Sequence, residues 1–125
     1  MAKRIGARRP GGKLGSYVPA AGDFIWLSFS PQAGREQAGR RPALVLSPSA
    51  YNAKTGLCLV CPLTTQIKGY PFEVAIPAGL PVHGAVLSDH VKSADWQERL
   101  AELIGRAPEE VLDEVRARLL PLLGS

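Results

Sequence analysis

Cysteine is scarce in this 125-residue chain, which has only Cys58 and Cys61. Two are too few to staple a fold of this size, so an oxidising compartment is not implied. Long apolar runs are missing as well, none reaching the roughly 18 residues that cross a bilayer. The N-terminus carries basic residues without the apolar stretch that follows them in a secretory signal. These absences predict a soluble, cytoplasmic protein with no membrane contact. Histidine is sparse too: six residues separate His83 from His90, more than the usual three to five or so of a zinc-binding pair. The "CLVC" stretch at 58–61 completes no metal site, because three positions along a strand turn its two thiols to opposite faces. Neither a metal nor another cofactor is expected.

With 46% hydrophobic residues the chain can bury one core, but it is too short for two independently folding units. Its net charge of +4 suggests nucleic acid until the charges are located. Residues 1–16 hold Lys3, Arg4, Arg8, Arg9 and Lys13 and no acid, leaving ten basic residues against eleven acidic ones in the rest of the chain. From residue 94 onward, seven acids outnumber Arg99, Arg106, Arg116 and Arg118. The middle of the chain is therefore mildly basic, which favours a local site for an anionic ligand over a broad basic face. The opening stretch, rich in glycine and charge, cannot bury enough surface to offset its ordering entropy. It reads as a disordered basic arm, 1–16, with residues 17–125 forming the domain.

A structured pattern begins at Tyr17. "DFIWLSFS" sets Phe24, Trp26 and Ser28 against Ile25, Leu27 and Phe29, the two-residue period of a strand. "PALVLS" and "LCLVCPLTT" are short apolar runs bounded by turn residues, as buried strands are, and "YPFEVAIP" and "GAVLSDHVK" each predict one more. The stretch 96–106 is ambiguous, with strand favoured in its second half. Only after Pro108 does the period change, with Val111, Val115, Leu119 and Leu122 at helical spacing and Pro121 placed to kink or end the helix. Several short strands followed by one helix predict a mainly β fold, a small SH3-like barrel with a terminal helix, in which curling the sheet removes exposed edges. Such barrels serve many functions, so the function must be read from a site.

Three pieces carry the site. They are G-D-x-x-W at 22–26, E-Q-x-G-x-R-P at 36–42 and T-T-Q-x-K-G-Y-P-F-E-V at 64–74. In this combination residues 17–74 resemble the MazF branch of the MazF/PemK family, and the likeness continues more weakly after residue 77 to the C-terminus. The resemblance implies an SH3-like barrel of the MazF/PemK/CcdB type, a homodimer, and a metal-independent, sequence-specific endoribonuclease toxin, an mRNA interferase acting on single-stranded RNA. It also implies a cognate MazE-like antitoxin, with DNA contacted only indirectly through the antitoxin complex.

RNA cut without a metal requires the 2′-hydroxyl to attack its own phosphate. The protein must then stabilise negative charge on phosphoryl oxygens and manage two proton transfers. Arg41 suits the first task, since its planar fork can hold two phosphate oxygens and Pro42 biases it toward extended backbone. The resemblance matches Arg41 to a catalytic arginine and Thr64 to a functional threonine. On a strand, Thr64 and Thr65 cannot share one pocket. Glu36 is the candidate for proton transfer, although a nearby guanidinium lowers a carboxylate's pKa and weakens it as a base, and holding Arg41 in place is an equally good role. Gln37 is a weaker candidate for substrate contact, and Gly39 supplies a turn.

The family pattern is not complete. Arg35 stands where relatives often carry serine or histidine. A second catalytic set, known from the Kid-like branch, would match its aspartate to Asp89 but meets Leu87 where an arginine is needed. Lys68, Lys92 and Lys54 are candidates for phosphate contact, Tyr70, Phe72 and Trp26 for base stacking, and His90 for RNA contact or proton transfer. Two other classes share features with this chain: a CcdB-like gyrase-poisoning toxin and a non-catalytic nucleic-acid-binding barrel. The first resembles its kin in an aromatic-containing C-terminal tip, whereas this chain ends "PLLGS".

Overall fold

A computed structural model of the chain describes residues 17–28 and 39–124. The basic arm 1–16, Arg35, Glu36 and Gln37 lie outside the described residues. Among those described, the elements run β1 (Asp23–Ser28), β2 (Arg40–Val45), α1 (Ser49–Thr55), β3 (Leu57–Thr64), β4 (Glu73–Ala75), β5 (Ala85–Leu87), β6 (Lys92–Asp95), β7 (Glu102–Arg106), α2 (Glu109–Leu119) and a 3₁₀ turn at Leu120–Leu123. All the strand pairs are antiparallel.

β3 is the spine. One of its edges pairs with β2. The other pairs first with β6, from Leu57 to Val60, and then with β5, at Leu63 and Thr64. Pro62, which has no N–H to donate, falls in the gap between those two ladders. The sheet thus follows the path β4-β5-β3-β2-β1-β7, with β6 branching from β3. It is barrel-like but open among the described residues, and α2 packs its apolar side chains into the cluster on one face.

Both faces of the sheet are buried, each by its own cluster. Phe24, Leu44, Cys61, Leu63, Val74 and Val86 face α2, which contributes Val111, Leu112 and Val115. Ile25, Leu27, Ala43, Val45, Cys58 and Val60 point the other way and are covered by Ala94 and Trp96. Alternation along β3 therefore sends the two thiols into different clusters, as the three-residue spacing predicts. Among the described residues, no group of three or more His, Cys, Asp or Glu side chains could hold a metal ion, and no helix is long and apolar enough to cross a membrane.

Three expectations need correction. The segment "SAYNAKT" forms α1, a helix the sequence pattern did not predict, because its one buried side chain is polar Asn52 and no apolar stripe marks it. "GAVLSDHVK" is not one strand. It is interrupted after Leu87 by a turn closed by His90 N–H on the Leu87 carbonyl, and buried Ser88 turns aside to donate to the Phe72 carbonyl. Finally, Leu122 is exposed, whereas Val111, Val115 and Leu119 are buried as predicted. The chain tightens from α to 3₁₀ geometry around Pro121, and the change in residues per turn rotates Leu122 off the apolar stripe.

Two polar knots lock the fold. Asn52, fully buried, donates to the Pro19 carbonyl at 2.7 Å and the Ser47 carbonyl at 3.0 Å, and accepts from Ser47 Oγ at 2.6 Å. Its own carbonyl receives the Trp96 indole N–H at 2.9 Å. Asp23, also buried, accepts from Tyr17 Oη (2.6 Å), Ala20 N–H (3.0 Å) and Arg106 Nη1 (2.8 Å). Asp23 of the first motif thus ties Tyr17 and Ala20 to Arg106 on β7.

Replacing Asn52 with alanine orphans several buried partners and should cost about 2–4 kcal/mol in urea unfolding. Alkaline pH provides a second check. Burial pushes the Cys58 thiol up to about 11, helped by Asp95, and the Cys61 thiol up to about 12, helped by Asp89. Burial, and then the hydrogen bond to Asp23, also holds the Tyr17 hydroxyl above its usual range. These groups keep protons in the folded chain that the unfolded chain loses from about pH 9 upward, so stability is complete below that pH and falls as pH rises. The urea midpoint should decline steadily between about pH 9 and 11, and a Cys58→Ala/Cys61→Ala variant should show a shallower slope.

Candidate active site

The R-R-P sequence on β2 assigns its two arginines opposite tasks. Along β1 and β2, Arg40 lies across from Ser28, Arg41 across from Leu27 and Pro42 across from Trp26. Arg40 is spent on structure. Its Nη2 meets Glu102 Oε1 at 2.6 Å, and its Nη1 lies 3.4 Å from both Ser28 Oγ and the Leu100 carbonyl. Leu100 has φ 59°, a left-handed conformation that costs a leucine about 1 kcal/mol or more. Arg41 projects from the other face, is exposed, and forms no ion pair among the described residues.

The β2–β3 register decides what Arg41 faces. Ala43 pairs with Pro62, Leu44 with Cys61 and Val45 with Val60. Extended by two residues past the last pair, this register sets Arg41 opposite Thr64, and alternation puts both side chains on one face. Thr64 is half-buried, and its Oγ1 accepts the Gln66 N–H at 3.0 Å. That bond uses an oxygen lone pair and fixes the hydroxyl while its proton stays available to donate. Thr65, exposed, points to the opposite side of the strand.

Thr64 is also held from behind. It pairs with Ala85 on β5, and the preceding Gly84, at φ +109°, packs so closely that a Cβ there would lie 2.0 Å from the Thr64 carbonyl oxygen. Only glycine permits both that dihedral and that approach. Sequence reasoning missed this residue; an isolated glycine opening a strand was the available signal.

The other candidates divide into groups. Lys92 pairs across from Val60, which shares a face with Thr64, and it is exposed. That partner, Val60, is four residues along β3 from Thr64, about 13 Å at strand rise. Lys68 and Tyr70 are exposed on the loop that leaves Thr64. His90 is exposed beside Asp89, Nε2 to Oδ1 at 3.8 Å, in the turn before β6. Phe72 is half-buried and Lys54 lies in the last turn of α1. Trp26 is not brought to Arg41: it shares a face with Pro42 and Glu102, so β1 turns it to the opposite side of the sheet. Leu87 ends β5 with no charge to offer. The result is one sheet face carrying a guanidinium, a fixed hydroxyl and an ammonium, an arrangement that suits a phosphodiester.

Comparison with known proteins narrows the chemistry. A family model described as PemK-like, MazF-like toxin of type II toxin–antitoxin system matches residues 20–123. The endoribonuclease toxin MazF of Escherichia coli K12 is 51% identical over 108 residues, 86% of this chain and 96% of that one. The crystal structure of MazF from Deinococcus radiodurans matches with a TM-score of 0.80 at 60% identity, covering 88% of this chain and 100% of that one. A MazE–MazF crystal structure from the same organism gives 0.79 at 55% identity, with the same coverage.

The two arginines should separate in thermal melts. Arg40→Gln should lower stability by about 0.5–1 kcal/mol, the usual worth of a partly exposed ion pair, while Arg41→Gln should leave the melting temperature unchanged. Gly84→Ala should destabilise by about 2 kcal/mol or more and shift the NMR resonances of Thr64, which checks the close approach.

Proposed function

The chain belongs to the family of PemK-like, MazF-like toxins of type II toxin–antitoxin systems, and from that premise we propose how its site cuts RNA. The protein is an endoribonuclease toxin. The single observation that carries the mechanism is the β2–β3 register, Ala43 opposite Pro62, whose continuation by two residues aligns Arg41 with Thr64 on one face.

A single-stranded RNA lies over that face with its scissile phosphate between the two groups. The 2′-oxygen attacks the adjacent phosphorus, a new O2′–P bond forms and the P–O5′ bond breaks. The products are a 2′,3′-cyclic phosphate and a 5′-hydroxyl. Arg41 pairs with two phosphoryl oxygens as their charge grows, and the Thr64 hydroxyl donates to the same phosphate or steers the attacking oxygen. One proton must leave the 2′-hydroxyl and another must reach the departing 5′-oxygen. Glu36 is the proposed participant in that exchange, acting as a proton carrier or as the carboxylate that aims Arg41, with Gln37 a weaker contact beside it. The charge is met by a guanidinium and the nucleophile is internal to the substrate, so the step requires no metal. Lys68 and Lys92 add phosphate contacts that do not read sequence, Tyr70 offers a face for an unpaired base, and His90 is an outer contact.

The physiological inhibitor is a MazE-like antitoxin, an acidic, partly disordered chain that covers this face and neutralises Arg41. Leu120, Leu122 and Leu123 are exposed at the end of the chain, more apolar surface than one chain covers, which supports burial in a homodimer. A toxin acting on mRNA works in the cytoplasm.

Cleavage of a long RNA in excess chelator is the test. Arg41→Ala and Thr64→Ala should each slow cleavage by about 10²-fold or more with unchanged melting temperatures. A substrate carrying a single 2′-deoxy sugar at the cut position should resist cleavage there. Cutting at that sugar would rule out internal attack.

A further inference from the structure

The loop leaving Thr64, residues 65–72, has no regular structure and is exposed until Phe72. Such a loop samples many conformations unless something fixes it, and ordering it only when ligand arrives would cost affinity. Here it is fixed at its middle as well as its ends. The Glu73 carboxylate reaches back from β4 to accept the Lys68 N–H at 3.2 Å on Oε1 and 3.1 Å on Oε2, and the Gly69 N–H at 2.9 Å on Oε1. Gly69 takes φ +81°, which lets two successive N–H groups converge on one anion.

Further bonds tie down the rest of the loop. The Gln66 N–H rests on Thr64 Oγ1, and the Tyr70 carbonyl accepts the Glu73 N–H at 3.1 Å. The Phe72 carbonyl takes both Ser88 Oγ and Ser88 N–H. Arg118 of α2 donates Nη1 to the Pro71 carbonyl and Nη2 to Glu114. Of these anchors, Glu73 alone sets the backbone of Lys68 and Gly69.

We propose that Glu73 is a positioning residue for substrate: its carboxylate clasps the Lys68–Gly69 backbone so that the 65–72 loop presents Lys68 and Tyr70 in a fixed pose next to Thr64. The proposal rests on the reading of this face as the RNA site. A charged acceptor matches two backbone donors better than a neutral one does, so the carboxylate, and not merely the size of the side chain, is what the loop uses. Arg41 and Thr64 belong to the sheet, and the Gln66 N–H that holds the Thr64 hydroxyl is not one of the groups Glu73 clasps. Its loss therefore weakens capture and alignment of RNA more than it slows the chemical step.

The experiment measures initial rates on a short fluorogenic single-stranded RNA, and cut-site patterns on a long one, for the full chain and its Glu73→Gln and Glu73→Ala variants. Amide hydrogen exchange of the RNA-free proteins is followed in parallel. The expected result is a KM raised about tenfold by Glu73→Ala and less by Glu73→Gln, kcat within about threefold, and a broadened set of cut sites. Exchange should quicken at Lys68 and Gly69 and stay unchanged at Leu44 and Val60. If the alanine variant does not fold, the glutamine variant carries the same comparison. A wild-type protein that cuts RNA while the folded variants keep its KM and cut pattern, or lose kcat with KM unchanged, overturns the role given to Glu73 alone. A wild-type protein that cuts no RNA brings down the nuclease reading and this proposal together.

Discussion

The alternation of side chains across the β2–β3 ladder is the constraint on which everything else depends. Ala43 opposite Pro62 fixes the register, and from it follow the face of Arg41, the face of Thr64, and the assignment of Arg40 and Thr65 to the other side. A slip of one residue would exchange Arg41 for Arg40 and turn the whole apolar set of β2 over. Both faces of this sheet are buried, so a slip would send Ala43 and Val45 into the cluster that Leu44 fills and Leu44 into the other, mispacking both. The packing that stabilises the fold is therefore the same packing that aims the site.

The surroundings of β3 reinforce this. Its first half is held by β6 and its second half by β5, with Pro62 between. The end that carries Thr64 can thus be shaped by Gly84 without disturbing the end that carries Cys58 and Val60. Polar groups are used economically: buried Asn52 and Asp23 each satisfy several partners, and Arg40 is neutralised by Glu102. Arg41 keeps its charge available for a ligand. The C-terminal part contributes through Glu102, which pairs with Arg40 of β2, and through Arg118, which pairs with Glu114 and donates to the Pro71 carbonyl of the 65–72 loop.

Much of this was legible in the sequence, because periodicity reports burial. The two-residue alternation located β1, short apolar runs between turn residues located β2 and β3, and the change of period after Pro108 located α2. The same logic separated Cys58 from Cys61. What periodicity could not reveal were elements whose signal is not apolar. α1 is organised around a buried asparagine, and the break between β5 and β6 depends on a serine that bonds sideways. Leu122 fits the helical period in the sequence but not in a chain that tightens near Pro121. Exposure alone misdirects too, since Trp26 is an accessible aromatic near the motif yet points across the sheet from Arg41. Gly84 and Glu73 were hidden for a different reason: they act on backbone, and nothing in a side-chain pattern shows where two backbones meet.

The central claim is that Arg41 and Thr64 serve one phosphate as a unit, and a double-mutant cycle on RNA cleavage tests it most directly. Groups that act together are strongly non-additive. The Arg41→Ala/Thr64→Ala protein should therefore lose about as much rate as the more damaging single change. Losses that multiply would mean that the two side chains act independently, and would contradict the account.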